Sequence, residues 1–473
     1  MSGVKRQEAE RVRAAAESLL RGGADPVQPL PDAAEPHDWT ALDQALRAAL
    51  HGWRGATAAY RTDLALCHPD GRIRERALYA PHPRPEFVAI RCADWVPQVR
   101  RRARHVLAGA LAADPPSVLL RLTPLVLRLG RREQGGWALE LFETELRSRA
   151  GSPALAALHG SPDLPVRRLA ARLAVEAGGA DVRELARRAA SEHDPGTSRT
   201  WADAALARAA ADGPDDESVD ALLGGHSPMV RSAGVVLLLR AGRGAEAGRF
   251  LSDRSGLVRA CARWAVRQGS GDPYALTRAQ VTDPGLVTAA AVTGFAECAG
   301  RGDAPLLRTL LDHPAGAVRA AAVAGLGLLD THDAALLEPL LDDPSPAVAR
   351  AVSLSLRGCA DRPPVDRLVE RVGPGWPPHT RRAAYRLLRA RGGTPWLAAA
   401  VDLLADGDAQ LRRTAAQHLQ SLWSPSRPPD LPSGDPEVGA LLDRCTEVFG
   451  DYVIGRMRRH LGLPQRDSTT NGH

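Results

Sequence analysis

The densest group of residues that could bind a ligand is the run "IRCADWVPQVRRRARHVL", residues 90–107. It holds five arginines within fifteen residues, and Arg100, Arg101, Arg102 and Arg104 lie almost side by side. Guanidinium groups bind phosphates and carboxylates through paired hydrogen bonds, so a nucleic acid and an acidic protein segment are both candidate ligands. The choice between them depends on where these side chains point, and therefore on the helix that carries them.

The other residues of the sequence give little support for a catalytic function. The chain contains a single lysine, Lys5, which excludes a Schiff-base lysine or a Walker A lysine from the body of the protein. The sequence has no HExxH, no GxSxG, no GxGxxG after a strand and no paired carboxylates in a recognisable context. We therefore expect no catalytic residues, no cofactor and no enzymatic activity.

Cysteine and histidine residues near the arginine run could in principle bind a metal. The candidates are Cys67, His68, His82 and Cys92, but their spacing fits no zinc pattern, so no metal site is expected.

The six cysteines stand singly without a CxxC motif, which favours buried thiols in a reducing compartment. No stretch reaches the roughly 18 apolar residues of a membrane span. These features predict a soluble, cytoplasmic protein.

A short phrase recurs along most of the chain. It consists of a turn with Asp or Pro, an aliphatic residue, usually an arginine, and an alanine three residues further on, as in "GRIRERA" and "DHPAGAVRAAA". The aliphatic positions are Ile73, Val99, Val166, Val230, Val258, Val287, Val318, Val348 and Leu411. Most intervals are 26 to 32 residues, and weaker copies near Gln134, Ser198 and Thr380 fill the longer gaps. A period of this length is typical of helical repeat arrays.

Each repeat is predicted to contain two helices joined by a turn. Apolar residues follow the aliphatic position at i+4, i+7, i+8 and i+11, which is the period of an amphipathic helix. Asp or Ser with Pro supplies the N-cap and the first-turn proline of the second helix. One helix pair cannot bury its apolar face alone, so the pairs must stack. We predict an all-α solenoid of about eleven or twelve helix pairs.

Composition suggests where the solenoid begins and ends. We expect an N-terminal helix and Pro-rich linker in residues 1–37, the solenoid in 38–425, a Pro-rich linker in 426–437, a C-terminal helical segment in 438–462 and a disordered tail in 463–473.

The repeat resembles the short HEAT-like repeats first described in phycobilin lyase subunits, over roughly residues 57–425. HEAT repeats are similar in having a turn Asp and a second-helix Arg that link neighbouring units. That six-residue offset is kept by Asp94 and Arg100, by Asp253 and Arg259, and by Asp406 and Arg412. The arginine is missing at Thr288 and Ala349. The arginine-for-lysine bias and the alanine richness are typical of a GC-rich bacterial genome. The number of arginines is therefore weaker evidence for a binding function.

A helical projection separates the arginines of the opening run. At about 100° per residue, Arg100 lies about 60° from the core direction, whereas Arg101 and His105 lie about 160° away. We expect Arg100 to pair with Asp94 or with a turn carbonyl, because a half-buried charge needs a partner. Arg101 and His105 should face outward. In the HEAT arrangement the second helix lines the concave surface, so the resemblance places them there.

The positions two and six residues beyond each aliphatic residue outline a predicted partner-binding groove. It is basic toward both ends and apolar in its centre. The basic candidates are Arg101, His105, Arg168, Arg172, Arg350, Arg382, Arg386 and Arg413, and the central candidates are Val236, Trp264 and Thr293. Trp and Arg are the residue types that dominate interface energies. Alternatively, small central residues only permit tight curvature and the outer arginines are solvated surface.

We predict a non-enzymatic scaffold or adaptor that binds an acidic and apolar segment of another protein. Nucleic-acid binding is the alternative, because some bacterial alkylpurine DNA glycosylases look like HEAT-like arrays with a catalytic Asp framed by tryptophans. Asp94 beside Trp95, and Trp201 beside Asp203, supply these residue types. Aromatic residues make up only 4% of the chain, which leaves few platforms for bases. A lyase role would rest on fold analogy alone.

Overall fold

The computed structural model of the chain describes residues 2–21, 36–51, 62–331, 333–421, 431–446 and 448–465. Most of the first predicted linker, the start of the second and the tail from residue 466 onward lie outside these ranges. The residues form two compact units, Met1–Ala241 and Gly242–His473. The described ranges contain helices and no strand, which confirms the predicted all-α solenoid. No helix in those ranges is long and apolar enough to cross a lipid bilayer.

Helices follow one another through the whole first unit. In chain order they are α1 (Ser2–Arg21), α2 (Pro36–Leu50), α3 (Thr62–Cys67), α4 (Gly71–Ala77), α5 (Pro85–Arg91), α6 (Pro97–Ala113), α7 (Pro115–Leu129), α8 (Gly136–Leu146), α9 (Ser152–Leu158), α10 (Leu164–Ala177), α11 (Val182–Ser191), α12 (Pro195–Asp212), α13 (Asp216–Leu223) and α14 (Pro228–Arg240). The even-numbered members from α4 onward are the second helices of their repeats.

The second unit combines α-helices with short 3₁₀ segments. Its α-helices are α15 (Gly256–Gln268), α16 (Pro273–Thr282), α17 (Ala289–Ala296), α18 (Ala304–Thr309), α19 (Gly316–Leu328), α20 (Ala334–Leu337), α21 (Pro346–Ser355), α22 (Val365–Val372), α23 (Pro378–Arg391), α24 (Gly393–Asp402), α25 (Ala409–Gln420), α26 (Pro436–Asp443) and α27 (Asp451–His460). The 3₁₀ segments are Gly244–Ser252, Arg301–Asp303, Leu310–Asp312, Glu338–Asp342, Leu356–Cys359 and Leu403–Ala405.

Local sequence fixes where the second helices begin and end. Asp163 caps α10, because its carboxylate accepts a hydrogen bond from the Val166 N–H at 3.1 Å, and a proline follows in the first turn. Asp194 caps α12 in the same way through the Thr197 N–H at 2.8 Å. Gly178 ends α10 with φ of 68°, a left-handed conformation that glycine adopts without steric cost.

The aliphatic residue of each repeat faces the core. Val99, Val166 and Val258 are completely buried, whereas Ile73 and Val287 are partly buried. Successive second helices pack side by side, α4 on α6 and α10 on α12 in the first unit, and α17 on α19, α19 on α21 and α21 on α23 in the second. The core therefore occupies one side of each second helix, and the predicted partner-binding positions range from exposed, as at Arg101 and Arg168, to half-buried, as at Val236 and Thr293.

Candidate functional site

The arginine that follows the aliphatic position binds the turn of its own repeat. Arg100 donates through Nη1 to the main-chain oxygen of Asp94 at 2.7 Å, which confirms the predicted bond to a turn carbonyl. The same bond, to the carbonyl six residues earlier, defines the turn-binding arginines Arg74, Arg100, Arg167, Arg231, Arg259, Arg319 and Arg412. Such a bond ties the second helix to the turn before it.

The carboxylate of the turn aspartate pairs with the preceding repeat instead. Arg74 donates through Nε and Nη2 to the two oxygens of Asp94 at 2.9 and 2.8 Å. Arg319 binds Asp343 at 2.8 and 2.7 Å in the same geometry. The six-residue offset between Asp94 and Arg100 therefore marks a carbonyl bond, and the ion pair joins neighbouring repeats. The turn directs the aspartate carbonyl toward its own helix and the carboxylate toward the previous one.

Asp94 is fully engaged in this structural role. Its side chain is completely buried, accepts from Arg74 and from Arg91 at 3.3 Å, and also accepts from the Val96 N–H at 2.9 Å. The adjacent Trp95 ring is 64% exposed, with the guanidinium of Arg74 at 4.5 Å from its centroid. The Asp94 carboxylate is therefore used within the fold and is not exposed to a substrate.

The second pair of aspartate and tryptophan has a different arrangement. Trp201 is buried, and the guanidinium of Arg188 lies 4.9 Å from its ring centroid. Asp203 lies on the exposed side of α12, where it accepts a hydrogen bond from Arg199 Nε at 3.4 Å. The tryptophan and the aspartate thus point to different environments, and Asp203 has no aromatic frame from Trp201.

The cysteines and histidines near the arginine run do not form a cluster. Cys67 and Cys92 are both buried, and burial raises the pKa of each thiol. Among the residues that the structure describes, no group of three His, Cys, Asp or Glu side chains lies close enough together to hold a metal ion.

The predicted basic residues of the first unit fall into two classes. Arg168 donates to both oxygens of Asp194 at 3.0 and 2.8 Å, and these hydrogen bonds hold the pKa of Asp194 well below its ordinary value. Arg172 binds Glu143 at 2.6 Å and Glu176 at 3.0 Å. These two arginines are therefore neutralised within the unit.

The other candidates of the first unit have no such partner. Arg101 and His105 lie on the exposed side of α6 and form no ion pair within the described residues. Val236, on α14, is half-buried. The positive charge available to a ligand in this unit is therefore at α6 rather than at α10.

In the second unit, Arg350, Arg357 and Arg386 form what we name the α21 arginine cluster. Burial lowers the pKa of Arg386, and the positive charges of Arg350 and Arg357 lower it further. Arg386 donates through Nη1 to Ser353 Oγ, whereas Arg350 and Arg357 are exposed and form no ion pair within the described ranges. Like charges held together in this way favour a negatively charged ligand.

The remaining candidates of the second unit are less available or more isolated. Arg382 pairs with Asp408 at 2.9 Å, and Arg413 is exposed on α25. Thr293 is half-buried, and its Oγ1 donates to the Ala289 carbonyl at 2.8 Å within α17. Trp264 is 45% exposed on α15.

A groove of about 600 Å³ lies between α19 and α21, beside the α21 arginine cluster. Its walls are mostly small residues, together with one arginine and one leucine: Ala320, Ala321, Ala324, Gly327, Ala347, Arg350, Ala351, Leu354 and Ser355. Leu354 is 47% exposed. The Oγ of Ser355 is buried in the wall and has no hydrogen-bond partner in the part of the chain that the structure describes. The groove is thus apolar, open and basic at one edge.

Sequence reasoning missed three of the residues that shape this site. Leu354 could have been found, because it lies six residues beyond Val348 and so at the same position as Trp264 in its repeat. Arg357 follows the end of α21 in a 3₁₀ segment, where a projection based on α-helical geometry fails. Ser355 is distinguished only by the unmet hydrogen bond of its hydroxyl, which no sequence pattern reveals.

Histidine protonation should make the fold sensitive to mild acid. Burial lowers the pKa of His159 to about 4, and the guanidinium of Arg188, 3.3 Å from its Nε2, adds to the effect. The unfolded chain takes up this proton near pH 6.5, whereas the folded chain does not until about pH 4. The contribution of His159 to the free energy of unfolding is therefore fully present above pH 6.5. It falls as the pH decreases toward 4, by at most about 1.4 kcal/mol per pH unit.

The expected result is measured as the midpoint of thermal unfolding between pH 4.5 and 7. His159→Gln keeps an acceptor for Arg188 and removes the titration, so its midpoint should depend less on pH than that of the wild type. His105→Gln, at an exposed position of α6, is the control and should leave the profile unchanged. Parallel profiles for the wild type and His159→Gln would contradict the prediction.

Comparisons with known proteins show similarity to solved helical structures at low sequence identity. No family model matches the sequence, and no curated protein matches it. The chain is similar to Kap121p in the crystal structure of Kap121p bound to Nup53p, with 11% identity and a TM-score of 0.32, over 88% of this chain and 54% of that one.

Two further structures show a likeness of the same order. The Kap95p structure with RanGDP has 12% identity and a TM-score of 0.29, over 98% of this chain and 62% of that one. An engineered protein from the Northeast Structural Genomics Consortium has 14% identity and a TM-score of 0.23, over 86% of this chain and 98% of that one. The chain spans less than two thirds of the length of either Kap chain. Likeness at this level carries no inference about partners.

Proposed function

We propose that the protein is a non-enzymatic scaffold whose second unit binds a short acidic and apolar segment of a partner protein between α19 and α21. The observation that carries the proposal is the position of the α21 arginine cluster beside an open groove lined by alanines. An apolar side chain of the partner would fill the groove, and a nearby carboxylate would bind the arginines. This function needs no cofactor and no metal.

The walls of the groove suit a polypeptide. Ala320, Ala324 and Ala351 leave the surface shallow, so a partner backbone can approach the helices closely. The exposed Leu354 offers apolar area that a partner would cover.

The positive charge of the site favours a partner segment that carries negative charge. Arg350 and Arg357 have no carboxylate partner in the described chain, whereas the nearby Arg382 is neutralised by Asp408. A carboxylate arriving between Arg350 and Arg386 would relieve the repulsion between these guanidinium groups. The other candidates at equivalent helix positions, Trp264 and Thr293, would extend the contact along the same unit.

Selection from a random peptide library on the immobilised full-length protein tests the proposal. Peptides that combine Asp or Glu with Leu, Ile or Phe should be enriched. Arg350→Glu should weaken a selected peptide at least about tenfold, because a favourable charge becomes a repulsive one. Ala324→Gln, which places a polar side chain at an exposed position in the groove, should also weaken it.

Arg308→Glu provides the matched control. Arg308 is exposed on α18, a first helix of the same unit, and lies outside the groove. Equal losses for Arg308→Glu and Arg350→Glu would show a non-specific charge effect and would overturn the assignment. Selection of peptides without acidic residues would also contradict it.

A further inference from the structure

The first unit carries a second basic surface that the proposed groove does not use. Helices α4 and α6 contain the arginines 72, 74, 76, 100, 101, 102 and 104, and the acidic residue on these two helices is Glu75. Arg74 is neutralised by Asp94, and Arg100 and Arg104 bind main-chain carbonyls. The remaining arginines form no ion pair within the described residues, so their charge is available to a ligand.

Five residues on α6, on α4 and in the turn that follows α4 define what we name the Tyr79 face: Arg76, Tyr79, Arg101 and His105, which are exposed, and Arg102, which is half-buried. The guanidinium carbon of Arg102 lies 4.0 Å from the centroid of the Tyr79 ring, which joins the two repeats. Arg102 and His105 are three residues apart on α6, and Arg101 and His105 are four apart, so these side chains are neighbours.

Tyr79 lies in the turn just after α4 and occupies the same place in its repeat sequence as Trp264 in the second unit. It lies six residues beyond Ile73, as His105 lies six beyond Val99. The Tyr79 side chain is 64% exposed even though Arg102 covers part of its ring. An aromatic ring with one side on a guanidinium and the other side open is a platform for a further flat group.

Two polyanions could neutralise the Tyr79 face, an acidic polypeptide and a nucleic acid. The arginines would serve either of them, but the open ring of Tyr79 adds a contact that a carboxylate side chain does not use. Proteins that bind single strands combine a basic surface with aromatic rings on which bases stack. A duplex keeps its bases stacked internally, so it would leave this ring unused.

We propose that the Tyr79 face binds single-stranded nucleic acid. A base stacks on the open side of Tyr79, and Arg76, Arg101 and Arg102 bind the flanking phosphates. The site lies wholly in the first unit and is independent of the peptide groove between α19 and α21.

Fluorescence anisotropy with a labelled oligothymidylate of about 20 nucleotides tests this proposal on the full-length protein. Binding should weaken steeply between about 50 and 200 mM salt. Tyr79→Leu should weaken it about tenfold. The double variant Arg76→Gln with Arg101→Gln should also weaken it and should reduce the magnitude of the slope of log K against log salt by about 1.4, because two phosphate contacts are lost.

Matched controls separate a specific site from general surface effects. Tyr452→Leu removes a tyrosine that is 72% exposed, with Arg456 at 6.0 Å from its ring, and should leave binding unchanged. Arg199→Gln removes an exposed arginine that pairs with Asp203, and it should also have no effect. Every substituted residue is exposed or forms a surface pair, so each variant should fold. Circular dichroism checks this.

Three results would overturn the assignment to a single strand. One is the absence of salt-sensitive binding by the wild type. The second is tighter binding of a duplex than of the single strand. The third is competition by polyglutamate together with no effect of Tyr79→Leu, which would identify an acidic polypeptide as the ligand. Arg350→Glu should leave oligonucleotide binding intact, so failure here and failure of the proposed peptide groove are distinguishable.

Discussion

Replacing Asp94 by alanine is expected to lower the free energy of unfolding by about 3–5 kcal/mol. The change leaves Arg74, which is completely buried, and Arg91, which is 2% exposed, without a shared carboxylate. It also removes the acceptor for the Val96 N–H. The loss is measured by urea denaturation and by hydrogen exchange of the amides in α5 and α6, which should open first.

Asp203→Ala is the matched control, because this aspartate also neighbours a tryptophan in the sequence. Its ion pair with Arg199 lies on the surface, so the expected loss is below about 1 kcal/mol. Similar losses for both variants would show that the buried pair between Arg74 and Asp94 contributes no more than a surface pair. The comparison also separates the two candidate catalytic aspartates by their environment rather than by their sequence.

Gly294→Ala is expected to destabilise the second unit by about 3 kcal/mol. A Cβ atom at this position of α17 would lie 2.2 Å from the main-chain oxygen of Leu251, in the 3₁₀ segment Gly244–Ser252. Backbone cannot move aside as a flexible side chain can, so the two elements must separate. Thermal unfolding of the full chain, followed by circular dichroism, measures the effect.

Gly109→Ala provides the control for helix propensity. Gly109 is exposed on α6, and an added Cβ would meet nothing within 4 Å. Alanine is the better helix former by about 1 kcal/mol, so this variant should be slightly more stable than the wild type. A stabilising effect of Gly294→Ala as well would show that the close approach between Gly294 and Leu251 is absent in solution.

The helical architecture follows from signals that lie close together in the sequence. The spacing of Val99, Ala103 and Leu107 places all three in the core, and each is essentially buried. The caps of α10 and α12 are read directly from Asp163 and Asp194. Such features involve neighbours within one or two helical turns, and this is why periodicity and capping residues predict them.

The availability of a charge depends on residues far apart in the sequence. Arg168 is neutralised by Asp194, which lies 26 residues later, whereas Arg101, also two residues beyond its own core valine, has no ion pair within the described chain. Arg172 is bound by Glu143 across 29 residues. The predicted basic groove therefore combined arginines whose charge is available to a ligand with arginines that neighbouring repeats neutralise.

The turn-binding arginines give one reason why the repeats contain arginine and no lysine. Arg74 uses Nε and Nη2 for Asp94, and Nη1 for the carbonyls of His68 and Pro69. Arg319 repeats the same four bonds to Asp343, His313 and Pro314. A lysine has one nitrogen and cannot reach both partners from a planar fork. Arg→Lys at these sites would keep the charge yet uncouple one repeat from the next, so part of the arginine content is a requirement of geometry.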